Sequence, residues 1–248
     1  MRILVFNAGS SSLKFGVFDT GPEVVQRLKG GFERFRDGSC AFSLQAGERA
    51  EKGSARHADL AAATAAVPGL LADWGIDGIE AIGHRIVHGG PDHSTPALLD
   101  DAELTRIESL TPLAPLHNPA NLDAVRVARA VWPDLPQVGV FDTAFHLTNP
   151  PRVTTYAVPQ AWREAGLRRY GFHGTSHQYV AERAAEAMGQ PLADLRLISV
   201  HLGNGASICA VNLGQSLESS MGLTPLEGLV MGTRSGDVDP GAFGYLHR

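Results

Sequence analysis

The sequence predicts an α/β chain built on a duplicated strand–turn–strand unit. Arg2-Ile3-Leu4-Val5-Phe6 is an apolar, β-branched run, Asn7 to Ser12 are turn residues, and Leu13 to Asp19 alternates as a returning strand would. The same pattern recurs about 195 residues later: Leu197 to Leu202, the turn Gly203-Asn204-Gly205, then Ala206 to Asn212. Helix patterns and one more apolar strand, Gln137 to Phe141, lie between the copies.

Each intervening element has a local reason. His57 to Trp74 is rich in Ala and Leu, with Pro68 as an expected break or kink. Asp100 to Leu110 opens on acids and carries apolar residues at helical spacing. Asn118-Pro119 supplies a cap and a first-turn proline for a helix through Val131. Thr175-Ser176 is the expected cap of a helix that ends at Gly189. Residues 21 to 56 read as a hairpin region without recognisable chemistry. Thr148 to Arg152 is the best linker, which predicts domains at 1–148 and 149–248.

Composition narrows the function. With 248 residues, 44% hydrophobic and 19% charged, the chain is an ordinary globular protein. Its 21 basic and 26 acidic residues give a net charge of −5, which argues against a nucleic-acid binder. Two distant cysteines, Cys40 and Cys209, exclude a disulfide framework and fit a cytoplasmic setting. The first apolar run is too short for an export signal, and the longest, Ala58 to Ala72, contains Asp59 and Pro68, so no membrane span is expected.

Four kinds of residue carry candidate chemistry. A Gly/Ser-rich turn such as Asn7 to Lys14 offers backbone N–H groups, hydroxyls and a lysine to a phosphate, although an isolated turn of this kind is usually just solvated. A second such turn, at Gly203-Asn204-Gly205, favours the phosphate reading; neither a Walker-type loop nor a full Gly-x-Gly-x-x-Gly is present. The pairs His84/His88 and His173/His177 have metal-ligand spacing on a helix, but Ala81 to Gly90 reads as a strand and His173 precedes a helix cap, so zinc is disfavoured. No nucleophile elbow supports a Ser-His-Asp triad. Arg85 and Arg234 sit among small residues, with room for a carboxylate or phosphate beside the guanidinium; a surface ion pair is the ordinary alternative.

Seven segments together resemble the acetate kinases, the acetokinase family of short-chain carboxylate kinases. They are Asn7–Lys14, Gly83–Gly90, Leu113–Pro119, Val140–His146, Arg169–His177, His201–Ser207, and Ser220–Gly228 with Gly232–Asp237. The resemblance implies a sugar-kinase/actin-like fold, two similar α/β domains around a cleft, with the second incomplete. It implies ATP-dependent, reversible phosphorylation of acetate to acetyl phosphate with Mg²⁺ or Mn²⁺, by a cytoplasmic homodimer without nucleic-acid or membrane partners. By position, Asn7 would touch the metal, and Ser10, Ser12 and Lys14 would line the first phosphate turn. His201, Leu202, Gly203, Asn204 and Gly205 would form the second, with His117 and His201 supporting the site. Arg85 and Arg234 would bind carboxylate and phosphoryl group, His173 and Arg234 would stabilise the transition state, and Asp142 would be the metal-linked or orienting carboxylate. Val87, Leu116, Phe172 and Pro225 would enclose the acyl methyl.

Two departures from the family pattern accompany these expectations. Glu218-Ser219-Ser220 replaces the common Asp-Thr-Ser, and the chain is expected to stop partway into the second domain, before the adenosine pocket. Propionate or butyrate kinase activity, a module that only binds phosphate or carboxylate, and a histidine-based metal-binding protein are the alternatives.

Overall fold

A computed structural model describes residues 1–9 and 11–247, so Ser10 and Arg248 lie outside the described residues. The chain forms two compact units, Met1–His88 with Thr95–Val140, and Gly89–Ser94 with Phe141–Arg248.

In the first unit, β1 (Arg2–Ala8) and β2 (Ser12–Asp19) pair antiparallel, with Ala8 opposite Leu13 at the closed end. The period-2 alternation buries Leu4, Phe6 and Ala8 of β1 and Leu13, Phe15 and Val17 of β2. The hairpin region becomes three further antiparallel strands, β3 (Val25–Arg36), β4 (Ser39–Ala46) and β5 (Arg49–Ala55). On the other side, β6 (Ala81–Ile86) runs parallel to β1 and sets His84 beside Phe6. With β7 (Ala97–Leu98) and β8 (Gln137–Phe141) the sheet has the order β5-β4-β3-β2-β1-β6-β8-β7.

Two of the first unit's helices start on an acid, as expected at Asp100. Asp59 Oδ1 accepts from Ala62 N at 2.8 Å to open α1 (Leu60–Asp73), and Asp100 Oδ1 accepts from Glu103 N at 2.8 Å to open α2 (Asp101–Ser109). Pro68 does not end α1, because the buried face Ala63, Thr64, Val67 and Leu71 continues through it. The third helix, α3 (Asn118–Val131), differs at its start: His117 is the cap and Asn118 is already helical. Ala124 and Ala128 of α3 and Val67 and Leu71 of α1 close the core over Leu4 and Phe6.

In the second unit, β9 (Arg196–Leu202), β10 (Ala206–Asn212) and β11 (Gln215–Ser219) form an antiparallel sheet, order β11-β10-β9. After the short helices α4 (Pro151–Thr154) and α5 (Gln160–Glu164) comes the long α6 (Gly174–Met188), which lies on β9; α7 is Gly241–Leu246. The helix α6 begins one residue before the expected cap. His173 occupies the cap position in the left-handed region at φ 60°, and Gly189 closes the far end at φ 62°. The helix and sheet bury Ala181, Cys209 and Val211 against Phe145, Leu192 and Leu197.

Two expectations about organisation change. Thr148 ends a 3-10 turn (Ala144–Thr148) and Pro151 opens α4, so residues 148–152 are not a loose linker. Segments 89–94 and 141–148 pack with the second unit, whereas the sequence placed both in 1–148. The polarity of β9 also inverts the usual rule. Ser199 is buried, while Ile198, Val200 and Leu202 are 75%, 47% and 79% exposed, because α6 covers the polar face of the strand.

Candidate active site

The first unit gathers Asn7, Arg85 and Val87 at the ends of β1 and β6. Arg85 Nη1 donates to Asn7 Oδ1 at 3.0 Å. Two asparagines of α3, both buried, hold the chain just beyond. Asn121 Nδ2 donates to the Ala8 carbonyl at 2.6 Å while its Oδ1 accepts from Val87 N at 3.0 Å. Asn118 makes a reciprocal pair with the His88 backbone, both bonds 3.1 Å. One helix therefore ties the first turn to the arginine segment, a role that the Asn-Pro cap signal concealed. Val87 lies one residue past β6. It is buried, whereas Leu116 is 75% exposed.

The first turn itself closes through Gly9 N donating to the Ser12 carbonyl at 2.8 Å. Lys14 stands on β2 opposite Asn7 and Gly31, and its exposed ammonium is 3.8 Å from Glu33. Ser10, assigned to the same turn, lies outside the described residues.

The second unit gathers Asp142, His173, His201, Gly205 and Arg234. Asp142 is 1% exposed and sits just after β8; its Oδ1 accepts from Thr175 Oγ1 at 3.1 Å and its carbonyl from Gly174 N at 2.7 Å. A side chain at position 174 would collide with that carbonyl, so glycine is required for the close approach. His173 Nδ1 is 2.9 Å from Ser207 Oγ, and its ring stacks on His201 with centroids 4.0 Å apart. His201 Nδ1 is 2.9 Å from Ser176 Oγ.

His173 and Arg234 meet at the second turn. A side-chain carbon at Gly205 would stand 3.1 Å from Arg234 Nη1, 3.2 Å from His173 Cε1 and 3.3 Å from His173 Nε2. The turn is a three-residue loop, with Gly203 N donating to the Gly205 carbonyl at 3.0 Å and Asn204 exposed. Leu202 points outward, 79% exposed.

The same nitrogen of Arg234 is also held by the backbone: Nη1 donates to the Pro225 carbonyl at 3.0 Å. The segment that carries Pro225 is fixed by a cluster not anticipated from sequence: Glu227 accepts from Tyr156 Oη and pairs with Arg169, and Leu223 N donates to Tyr156 Oη at 3.0 Å. Burial and the bond to Glu227 push the Tyr156 hydroxyl up to about 12, so it stays a donor. Phe172, 1% exposed, is held through its carbonyl, 2.9 Å from His146 Nε2.

Four buried histidines are neutral. Burial lowers His84, His88 and His146 to about 4. His177 falls to about 3, through burial first and then His146, His173 and His201 around it. His84 Nε2 is bound to Gln137 Oε1 at 2.8 Å and its ring stacks on Phe6; both nitrogens of His177 are bound by serine hydroxyls. Among the described residues, no three His, Cys, Asp or Glu side chains come together as an all-protein metal site would need.

No described helix is long and apolar enough to cross a membrane. The acetokinase family model matches residues 2–248. The chain is 50% identical to an acetate kinase of Deinococcus radiodurans over 250 residues, covering 100% of this chain and 63% of that protein. It is 47% identical to an acetate kinase of Bacillus subtilis, covering 99% of this chain and 63% of the relative. Among solved structures, a propionate kinase from Francisella tularensis superposes with a TM-score of 0.91 at 42% identity, and Porphyromonas gingivalis acetate kinase with 0.90 at 41%. Each alignment covers 99% of this chain and 63% of the other. The chain thus spans somewhat under two thirds of these relatives' length, and its α/β fold is theirs, of the sugar-kinase/actin-like class. A family model matched from Arg2 to Arg248, on a fold shared at this level, places the chain in the acetokinase family.

Proposed function

We propose that the protein carrying this sequence transfers the γ-phosphoryl group of ATP to acetate, reversibly, giving ADP and acetyl phosphate. The observation that carries this reading is that His173 Nε2 and Arg234 Nη1, both able to donate, lie beside the same Gly205 turn. Acetate and the γ-phosphoryl group are both negative, so the first task is to offset their repulsion. Arg85 and Arg234 serve that purpose through guanidinium forks that suit carboxylate and phosphate. The acetate oxygen then forms the new P–O bond in line as the bond to the β-phosphate oxygen breaks, and ADP leaves with that electron pair.

Acetate is already ionised at neutral pH, so no base has to remove a proton. Asp142, buried and bound to Thr175, accordingly orients rather than deprotonates. His173 donates to the phosphoryl oxygens as charge redistributes, and the Asn7–Lys14 and Gly203–Gly205 turns bind phosphate. An arginine that meets transition-state charge contributes about 10³ to 10⁵ in rate, or roughly 4 to 7 kcal/mol. The donor set fits Mg²⁺ or Mn²⁺: such an ion takes one or two protein oxygens together with water and phosphate oxygens, and the amide oxygen of Asn7 or the carboxylate of Asp142 would hold it. When bound, it would neutralise phosphate charge.

Val87, Leu116, Phe172 and Pro225 are proposed to bound the acyl methyl. A propionate kinase among the similar structures favours a second reading with a longer acid, and one methylene in such a pocket is worth only about 1 to 3 kcal/mol. The free, buried Cys40 and Cys209 support a reducing cytoplasmic setting, and a homodimer is the proposed assembly. Trapping acyl phosphate with hydroxylamine, in the presence of ATP, Mg²⁺ and acetate, propionate or butyrate, tests the reading. Acid- and ATP-dependent hydroxamate is expected; the ratio of kcat/KM values decides between acids. ATP and carboxylate binding without hydroxamate would reduce the protein to a binding module.

A further inference from the structure

The serines and histidine behind His173 form a connected path. His177 is fully buried, and its Nδ1 and Nε2 lie 2.8 Å from Ser199 Oγ and 2.8 Å from Ser207 Oγ. Ser207, also fully buried, is 2.9 Å from His173 Nδ1. A neutral imidazole has one donating and one accepting nitrogen, and a hydroxyl has one proton to give, so the protons can be counted.

Only two directions satisfy the His177 ring. In one, Nδ1–H donates to Ser199, Ser207 donates to Nε2, and His173 Nδ1–H donates to Ser207. The Ser199 proton then has no acceptor among the described residues, although Ser199 is only 5% exposed. In the other, Ser199 donates to His177 Nδ1, His177 Nε2–H donates to Ser207, and Ser207 donates to His173 Nδ1. Every hydroxyl proton and every ring nitrogen is then used once. Leaving a buried hydroxyl proton unpaired is costly, so the second direction prevails.

We propose that Ser199, His177 and Ser207 are positioning residues that hold the proton of His173 on Nε2. This rests on the reading of His173 as a donor to the transferring phosphoryl group. The path delivers a hydroxyl proton to Nδ1, so the single proton of a neutral ring must sit on Nε2, the nitrogen beside Gly205 and Arg234. A proton added at Nδ1 would point at the Ser207 proton. A neutral ring is thereby held as a donor that needs no reorganisation when the anion arrives.

The test is ¹⁵N NMR of the histidine rings in the whole protein at neutral pH, with ¹⁵N-histidine. His173 and His177 should both show a protonated Nε2 and an unprotonated Nδ1. In Ser207→Ala, the Nδ1–H form of His173 should rise from undetectable to a resolved second species. The hydroxylamine assay should show kcat falling about tenfold with KM for acetate unchanged, and Ser207→Cys should recover part of the loss. Wild-type rings protonated on Nδ1, or a doubly protonated His173, would overturn the proposal, as would an unchanged tautomer in Ser207→Ala. If that variant does not fold, the wild-type spectrum decides alone. The expected tautomers without hydroxamate would leave the path standing and remove the kinase reading instead.

Discussion

Arg85 Nη1 donates to Asn7 Oδ1 at 3.0 Å, one residue beyond the Phe6–His84 pair of the parallel β1 and β6. The bond fixes one arm of the guanidinium against a neutral acceptor.

The first prediction follows from that bond. Arg85→Ala should lower acyl-phosphate formation by about 10³-fold or more, while Tm moves by only a few degrees, since the side chain is half-buried and outside the apolar core. Arg85→Lys should recover little, because a point charge lacks the planar fork. Kinetics and a thermal melt on the same samples check both parts. Full activity in Arg85→Ala would remove this residue from the chemistry.

The second concerns Gly205, whose backbone does not require glycine; the constraint is space. An added methyl meets Arg234 Nη1 at 3.1 Å and His173 Nε2 at 3.3 Å, and both must shift by tenths of an ångström. Misplacing groups that stabilise a transition state by that much is costly to rate and cheap to stability. Gly205→Ala should therefore lower kcat at least tenfold with Tm nearly unchanged. A wild-type kcat would show that neither group acts at this turn.

Local chemistry made much of the fold legible. The alternation in Leu13 to Asp19, the acid at Asp100 and the glycine at 189 each marked an element, because a cap or a pleat depends on near neighbours. The failures share a cause in distant partners. Asn118 looked like a cap, but its side chain is taken by the His88 backbone, 30 residues away. The Ser207–His177 contact depends on both the β10 register and the rotation of α6, which no short window encodes. Arg85 and Arg234 stood out by their small neighbours, whereas the role of His173 came from whole-motif resemblance alone.

The third prediction is a pH window. His84, His88, His146 and His177 are held at about 4, 4, 4 and 3, below the ordinary 6.5. Between those values the unfolded chain binds protons that the folded one refuses, so stability falls as pH drops below 6.5. Each histidine contributes a slope of up to about 1.4 kcal/mol per pH unit there, and none above pH 7. Tm should be flat from pH 8 to 7 and fall steeply from 6.5 toward 4, before most carboxylates titrate. A flat Tm down to pH 5 would contradict the neutral burial of these rings.

The last prediction separates orientation from charge at Arg234. Tyr156, Arg169 and Glu227 fix the segment whose Pro225 carbonyl accepts from Arg234 Nη1. In Tyr156→Phe the hydroxyl is lost, so Glu227 loses a donor and Leu223 N loses its acceptor, while the Arg169 pair remains. Two hydrogen bonds, one of them to a charged group, are worth about 2 to 4 kcal/mol together. Part of that loss should appear in Tm and part as movement of the segment. Because Pro225 is proposed to bound the acyl methyl and to aim Arg234, KM for acetate should rise several-fold and kcat should fall with it. Glu227→Gln should act in the same direction, since it keeps the shape but weakens the pair with Arg169. If both variants lower Tm and leave KM and kcat unchanged, the cluster stabilises the second unit without orienting Arg234. A KM that rises with the guanidinium intact would show that the carbonyl of Pro225, and what fixes it, sets where that charge is delivered.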